Sequence, residues 1–111
     1  MIDRGHVRDK IARDFLNERL PDIERIFAPE HIILFGSRAT GRARKDSDVD
    51  LILVSSRFRN LRFADRIARF LKEIRPGLEV MPLCYTPEEF EELRKTPSIV
   101  REAAREGIWI Q

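Results

Sequence analysis

Residues 34–54 read LFGSRATGRARKDSDVDLILV. An apolar run ends at Phe35 and meets the pair Gly36-Ser37. Ten residues further on, Asp48 and Asp50 stand one residue apart, and a second apolar run follows to Val54. On an extended chain, residues two apart share a face, with α-carbons roughly 6.5–7 Å apart. Two unpaired acids on one face of a buried strand would repel each other and lose solvation. A divalent cation answers that problem, and a pair of ions roughly 3.5–4 Å apart would suit both carboxylates. Hard oxygen ligands at an open site favour Mg²⁺. The alternative is that the strand begins at Val49 or later and both acids lie in a solvated loop.

The same stretch imitates two other sites and matches neither. Gly36 and Gly41 have the glycine spacing of a P-loop, but Arg42 and Ala43 stand where Lys and Ser/Thr are required. The run from Asp46 has acids at the first, third and fifth positions of a calcium loop. Leu51 and Arg57 then occupy the places of the obligatory Gly and bidentate Glu. Gly36-Ser37 at a strand end still suits close approach by an anion. Ser37 reads equally as an ordinary helix cap. Arg38, Arg42, Arg44 and Lys45 are candidate phosphate contacts. Arg57, Arg59 and Arg62 read at least as well as solvated turns.

Outward from this stretch, the chain predicts an α/β fold. Val7, Ile11 and Phe15, extended by Leu16, Leu20 and Ile23, predict a helix over about 6–27, bent or restarted at Pro21. Residues 31–35 and 49–54 predict strands, with one helical turn after Gly36. Residues 61–74 predict a helix with Leu61, Ala64, Ile67, Ala68, Leu71 and Ile74 inward. Residues 78–85 predict a third strand, at an edge or bulged because Pro82 cannot donate. Thr86, Pro87 and Glu89 predict a capped helix start. A second Thr-Pro, at 96–97, predicts another helix that stops at Gly107. Residues 108–110 predict a short strand or a docked tail.

The chain has 111 residues, the size of one domain spanning 1–111. With 42% hydrophobic and 36% charged residues it reads as globular rather than disordered. Its 21 basic and 19 acidic residues leave a net charge of +2, which gives no nucleic-acid signal. Cys84 is the one cysteine, so no internal disulfide forms, and its apolar setting predicts a buried thiol. The first ten residues hold no apolar signal region and no stretch is long enough to span a membrane, so the expected compartment is the cytoplasm.

Gly36-Ser37, ten residues, then Asp48-Val49-Asp50 with its apolar tail resembles the signature of the DNA polymerase β-like nucleotidyltransferase superfamily. The length resembles its minimal nucleotidyltransferase (MNT) branch, and LCYTPEEFEEL (83–93) is similar to the C-terminal part of those proteins. The resemblance implies an α/β (α+β) fold with a small central mixed sheet flanked by helices. It implies transfer of a nucleoside monophosphate from an NTP, ATP first, with two Mg²⁺ ions. Carried over by position, Gly36 and Ser37, with Arg38 and Arg42, would bind nucleotide. Asp48, Asp50 and Glu79 would be the catalytic, metal-holding acids, although the family usually has Asp where Glu79 stands. The chain is too short to add the substrate domain of larger relatives. The resemblance to the MNT branch implies a small all-helical HEPN protein as partner, with this chain as the antitoxin that transfers AMP to a toxin tyrosine. The alternatives are a non-catalytic nucleotide-binding subunit and a homodimeric small-molecule nucleotidyltransferase.

Overall fold

The computed structural model describes residues 7–111; His6, at the start of the predicted first helix, lies outside the described residues. Helix α1 spans Lys10–Phe27. Its true start is Asp9, whose side chain accepts from the Ala12 amide at 2.9 Å. Val7 precedes the helix and is fully buried, while Ile11 is 41% exposed. The inward stripe is therefore Ala12, Phe15, Leu16, Leu20, Ile23 and Phe27. Pro21 neither ends nor restarts the helix. Its ring is on the exposed side, between buried Leu20 and Ile23, which hold the helix on the core across the missing donor. At the far end Arg57 donates to the carbonyls of Arg25 (3.2 Å) and Ile26 (2.8 Å), a cation on a helix C-terminus.

Strand β1 (His31–Phe35), the single turn α2 (Ser37–Thr40) and strand β2 (Val49–Val54) follow, then a 3₁₀ turn at Ser56–Phe58. Helix α3 covers Phe63–Ile74, strand β3 Val80–Tyr85, helix α4 Pro87–Leu93, helix α5 Ile99–Glu106 and strand β4 Ile108–Trp109. The four strands form one mixed sheet in the order β3-β2-β1-β4. β1 is antiparallel to both β2 and β4, and β2 is parallel to β3. This is the expected α/β architecture, and β3, with Pro82, takes an edge as the missing donor requires.

The two sheet faces carry two cores. Leu34, Leu51, Leu53 and Cys84 pack under α1 and α3 with Phe27, Phe58 and Phe70. Ile33, Ile52 and Val54 pack under α4 and α5 with Phe90, Val100 and Ala103. Burial pushes the Cys84 thiol up to about 12, so it is an inert core group. Gly107 does end α5, but with extended backbone. A Cβ there would come 2.7 Å from Ile33 Cγ2 and 2.8 Å from the Leu34 carbonyl, so glycine is needed for close packing on β1. The cap of α5 is Ser98, which accepts from the Arg101 amide at 3.1 Å, rather than Thr96.

Helix α3 is turned away from its expected phase. It buries Arg66, Phe70 and Ile74, and leaves Ala64, Ala68 and Leu71 exposed. Phe70 stacks on Phe27 at 5.7 Å. Arg66 donates to the Leu61 and Cys84 carbonyls at 2.9 and 3.1 Å, and to both oxygens of Glu89 at 2.6 and 3.2 Å. Glu89 also completes the expected capping box with Thr86. One bidentate pair thus bolts α3 to the start of α4 across the β3 edge.

The hydrogen bonds from Arg66 first, then the Thr86 amide, hold the Glu89 carboxyl below its usual value. Its stabilising contribution is therefore full above the unfolded carboxyl value and is lost as pH falls through the lower folded one. Arg66→Met is expected to cost about 2–3 kcal/mol in urea unfolding at pH 7, less than a fully buried pair because Glu89 is partly solvated. The stability difference between the native protein and Glu89→Gln should shrink as pH drops below the ordinary Glu range. A pH-independent difference would contradict the pairing.

Candidate nucleotide and metal site

The candidate site stands at the end of the sheet where β1 finishes and β2 begins. Antiparallel pairing sets Asp50 opposite Phe35, one residue before Gly36. Gly36 has φ 75° and ψ −158°, a conformation essentially confined to glycine. A Cβ there would lie 3.2 Å from Asp50 Cγ and well inside contact distance of Oδ2. The carboxylate of Asp50 therefore lies directly on the Gly36 backbone, and the two halves of the opening motif touch. Asp50 is half-buried and Asp48 is exposed. Burial first, and the Asp48 charge second, raise the Asp50 carboxyl above its ordinary value. The acids are close enough to repel, and Asp50 is within the strand at its second position. The strand begins at Val49, so Asp48 lies in the exposed loop before it, as the alternative expected, and Asp50 alone of the two lies in the strand.

Ser37 opens α2, and its carbonyl accepts the Arg42 amide at 3.0 Å, closing the turn at Gly41. Arg42 is exposed on the loop that follows. Arg38 has a different place from the expected one. It is 4% exposed and turned inward. Its Nη1 donates to both oxygens of Asp9 at 3.2 and 3.1 Å. Its Nε and Nη2 donate to the carbonyl of Ser47 at 3.0 and 2.8 Å, and Nη2 also to those of Arg44 and Lys45. A phosphate contact would require breaking these bonds. Arg38 instead ties the cap of α1 to the loop that delivers Asp48. A buried arginine with several carbonyl partners leaves no periodic trace in sequence, and only the RxxxxxRKDS proximity hinted at it.

Glu79 stands one residue before β3, at the end of the sheet where Asp48 stands one residue before the parallel strand β2. It is exposed, precedes β3, and lines a cavity of about 210 Å³ with Ile11, Lys45 and Asp46 on the α1 side. Its backbone carbonyl accepts the Val49 amide at 2.9 Å. Among the described residues no group of three or more His, Cys, Asp or Glu side chains could hold a metal. The pair Asp48–Asp50 alone, hard oxygen donors beside an open glycine backbone, fits a divalent cation with its remaining positions open. A cavity of about 150 Å³ adjoins this end, between Gly36, Thr40 and the Glu102–Glu106 face of α5. A larger groove, about 700 Å³ between α3 and α4, is at the opposite end of the sheet beside Tyr85. Of the described residues, no helix is long and apolar enough to cross a membrane.

Gly36→Ala is expected to cost more than about 1–3 kcal/mol, combining backbone strain with the clash on Asp50. Asp50→Ala in the same chain should recover the clash but not the strain. A double-mutant cycle by thermal unfolding that found the two changes additive would contradict the contact.

The family model described as "Nucleotidyltransferase domain" matches residues 10–110. The chain belongs to that family. Among solved structures, one from Sulfolobus solfataricus, described as a "putative nucleotidyltransferase", is 22% identical, with 79% of this chain and 76% of that one covered at a TM-score of 0.48. No functionally curated protein matches the chain.

Proposed function

We propose that this member of the nucleotidyltransferase family moves a nucleoside monophosphate, AMP first, from a magnesium-bound NTP to an acceptor hydroxyl and releases pyrophosphate. The observation that carries this reading is the Asp50 carboxylate seated on Gly36. It brings a backbone open to phosphate within reach of the two acids that would hold the cation.

Gly36 and Ser37 would receive the triphosphate, with exposed Arg42 as the nearby cation; Arg38 would act through the loop it holds. Asp48 and Asp50 would hold Mg²⁺ and keep it against the phosphates. Magnesium, when bound, would neutralise charge on the phosphates as the acceptor oxygen bonds to the α-phosphorus and the bond to the leaving pyrophosphate breaks. Strand β2 would fix Asp50, and the loop held by Arg38 would place Asp48 just before it; preorganisation of this kind is most of what such a displacement asks of the protein.

The local motif, through the family branch it resembles, favours an acceptor on a separate protein. We take it to be a tyrosine of a cytoplasmic HEPN-type helical partner, with this chain as antitoxin. A second reading, a nucleotide-binding subunit that acts by contact alone, is favoured by one observation: among the described residues no three acids group together as a metal site.

Incubation with labelled ATP, Mg²⁺ and the partner encoded beside it should add one AMP to that partner, read by intact mass. Asp48→Asn and Asp50→Asn should each lower the rate at least about 100-fold, the loss of several kcal/mol of charge stabilisation. Unchanged transfer in both variants would sink the assignment. Nucleotide binding without transfer would select the second reading.

A further inference from the structure

Helix α3 presents an apolar stripe that the chain leaves uncovered. At about 3.6 residues per turn, Ala64, Ala68 and Leu71 lie on one side of the helix, next to Phe63 and Ile67. Phe63 is 40% and Leu71 38% exposed, and Ala64 and Ala68 are exposed as well. The buried residues Arg66, Phe70 and Ile74 take the neighbouring side. Asp65, in the first turn, and Lys72, in the last, stand two turns apart along the solvent flank of the stripe, and both are exposed. Asp65 has only a long contact, 3.6 Å, from the exposed Arg62.

These two charges select an occupant. Turned end for end, the same helix offers Lys72 where this one has Asp65, and Asp65 where this one has Lys72. A two-fold axis between antiparallel helices brings like flanks together, so both pairs form at once. The register that sets Asp65 level with Lys72 of the other copy also sets Leu71 level with Arg66, midway between Ala64 and Ala68. The large side chain at the middle of the contact then faces the two smallest, where helices approach closely. One register thus meets both charge and packing. A parallel pairing would set Asp65 against Asp65 and Leu71 against Leu71. The antiparallel register brings Arg62 and Arg75 level, but these are the cap residues beyond the helix ends, exposed to solvent.

We propose that the uncovered side of α3 is the contact of a homodimer, in which a second copy of this chain packs its own α3 antiparallel, with Leu71 seated between Ala64 and Ala68 and Asp65 paired to Lys72. The nucleotide reading is not needed for it.

Sedimentation of the full chain at low salt, from about 1 to 300 µM and without nucleotide or metal, is the test. One short helix from each copy is a small contact, so the native protein should exchange reversibly between monomer and dimer with a Kd of about 1–100 µM. Ala68→Arg and Leu71→Glu, both at exposed positions, should each leave a monomer across that range. Asp65→Lys and Lys72→Asp should each weaken the dimer at least about fivefold, and the two together should restore it to within about twofold. Thermal unfolding checks the fold of each variant. A native chain that stays monomeric throughout would overturn the proposal, and the partner of this face would then be a different protein. So would a dimer that survives both Ala68→Arg and Leu71→Glu, because the contact would lie elsewhere. A double charge reversal no tighter than the single ones would overturn it as well, by removing the antiparallel register.

Discussion

The site end of this protein depends on the buried guanidinium of Arg38. A charge taken out of water costs several kcal/mol unless its hydrogen bonds are replaced. Here every nitrogen of the fork has an acceptor: the Asp9 carboxylate and the carbonyls of Arg44, Lys45 and Ser47. Asp9 in turn caps α1. One side chain therefore joins the first helix, the turn after β1 and the end of a long polar loop. The residue after Ser47 is Asp48, so the satisfied guanidinium also sets where the carboxylate pair begins. A lysine, with a point charge on a flexible stem, could not bridge so many partners in fixed directions.

Arg66 does at the other end of the sheet what Arg38 does at this one. It meets the Cys84 carbonyl on the β3 edge and grips Glu89 with two bonds. Pro82 withholds its donor on the same edge. Together they blunt a strand edge that could otherwise recruit another chain. Both faces of the sheet carry apolar cores, and both ends are fixed by a buried arginine. At one corner of this frame the Asp50 carboxylate meets the Gly36 backbone.

Much of the architecture was legible. The strands at 31–35 and 49–54, the capping box at Thr86 and Glu89, and the edge position of Pro82 follow from alternation, side-chain capping and a missing donor. These are local rules, and local rules survive folding. Helix α3 was misphased because its apolar arc is wider than its buried face. Phe70 and Arg66 won the inner position through ring stacking on Phe27 and a cage of acceptors, neither of which periodicity weighs. Arg38 was read as a phosphate contact for a similar reason: a basic residue in a polar loop looks solvent-facing until its partners from other segments are known.

The sequence by itself marked the Gly-Ser turn and the Asp48-Val49-Asp50 run as two parts of one motif, because each stands where a polar loop meets an apolar strand. It also determined that Gly36 must be glycine if a backbone is to come close to a ligand. Only the tertiary structure decided which residues of β3 stand beside them. That depends on how β3 registers against β2, and register is set by two packed sheet faces and a parallel crossover through α3, not by any residue's neighbours in the chain. The result pairs Met81 with Asp50 and places Glu79, just before β3, at the end of the sheet where Asp48 precedes β2.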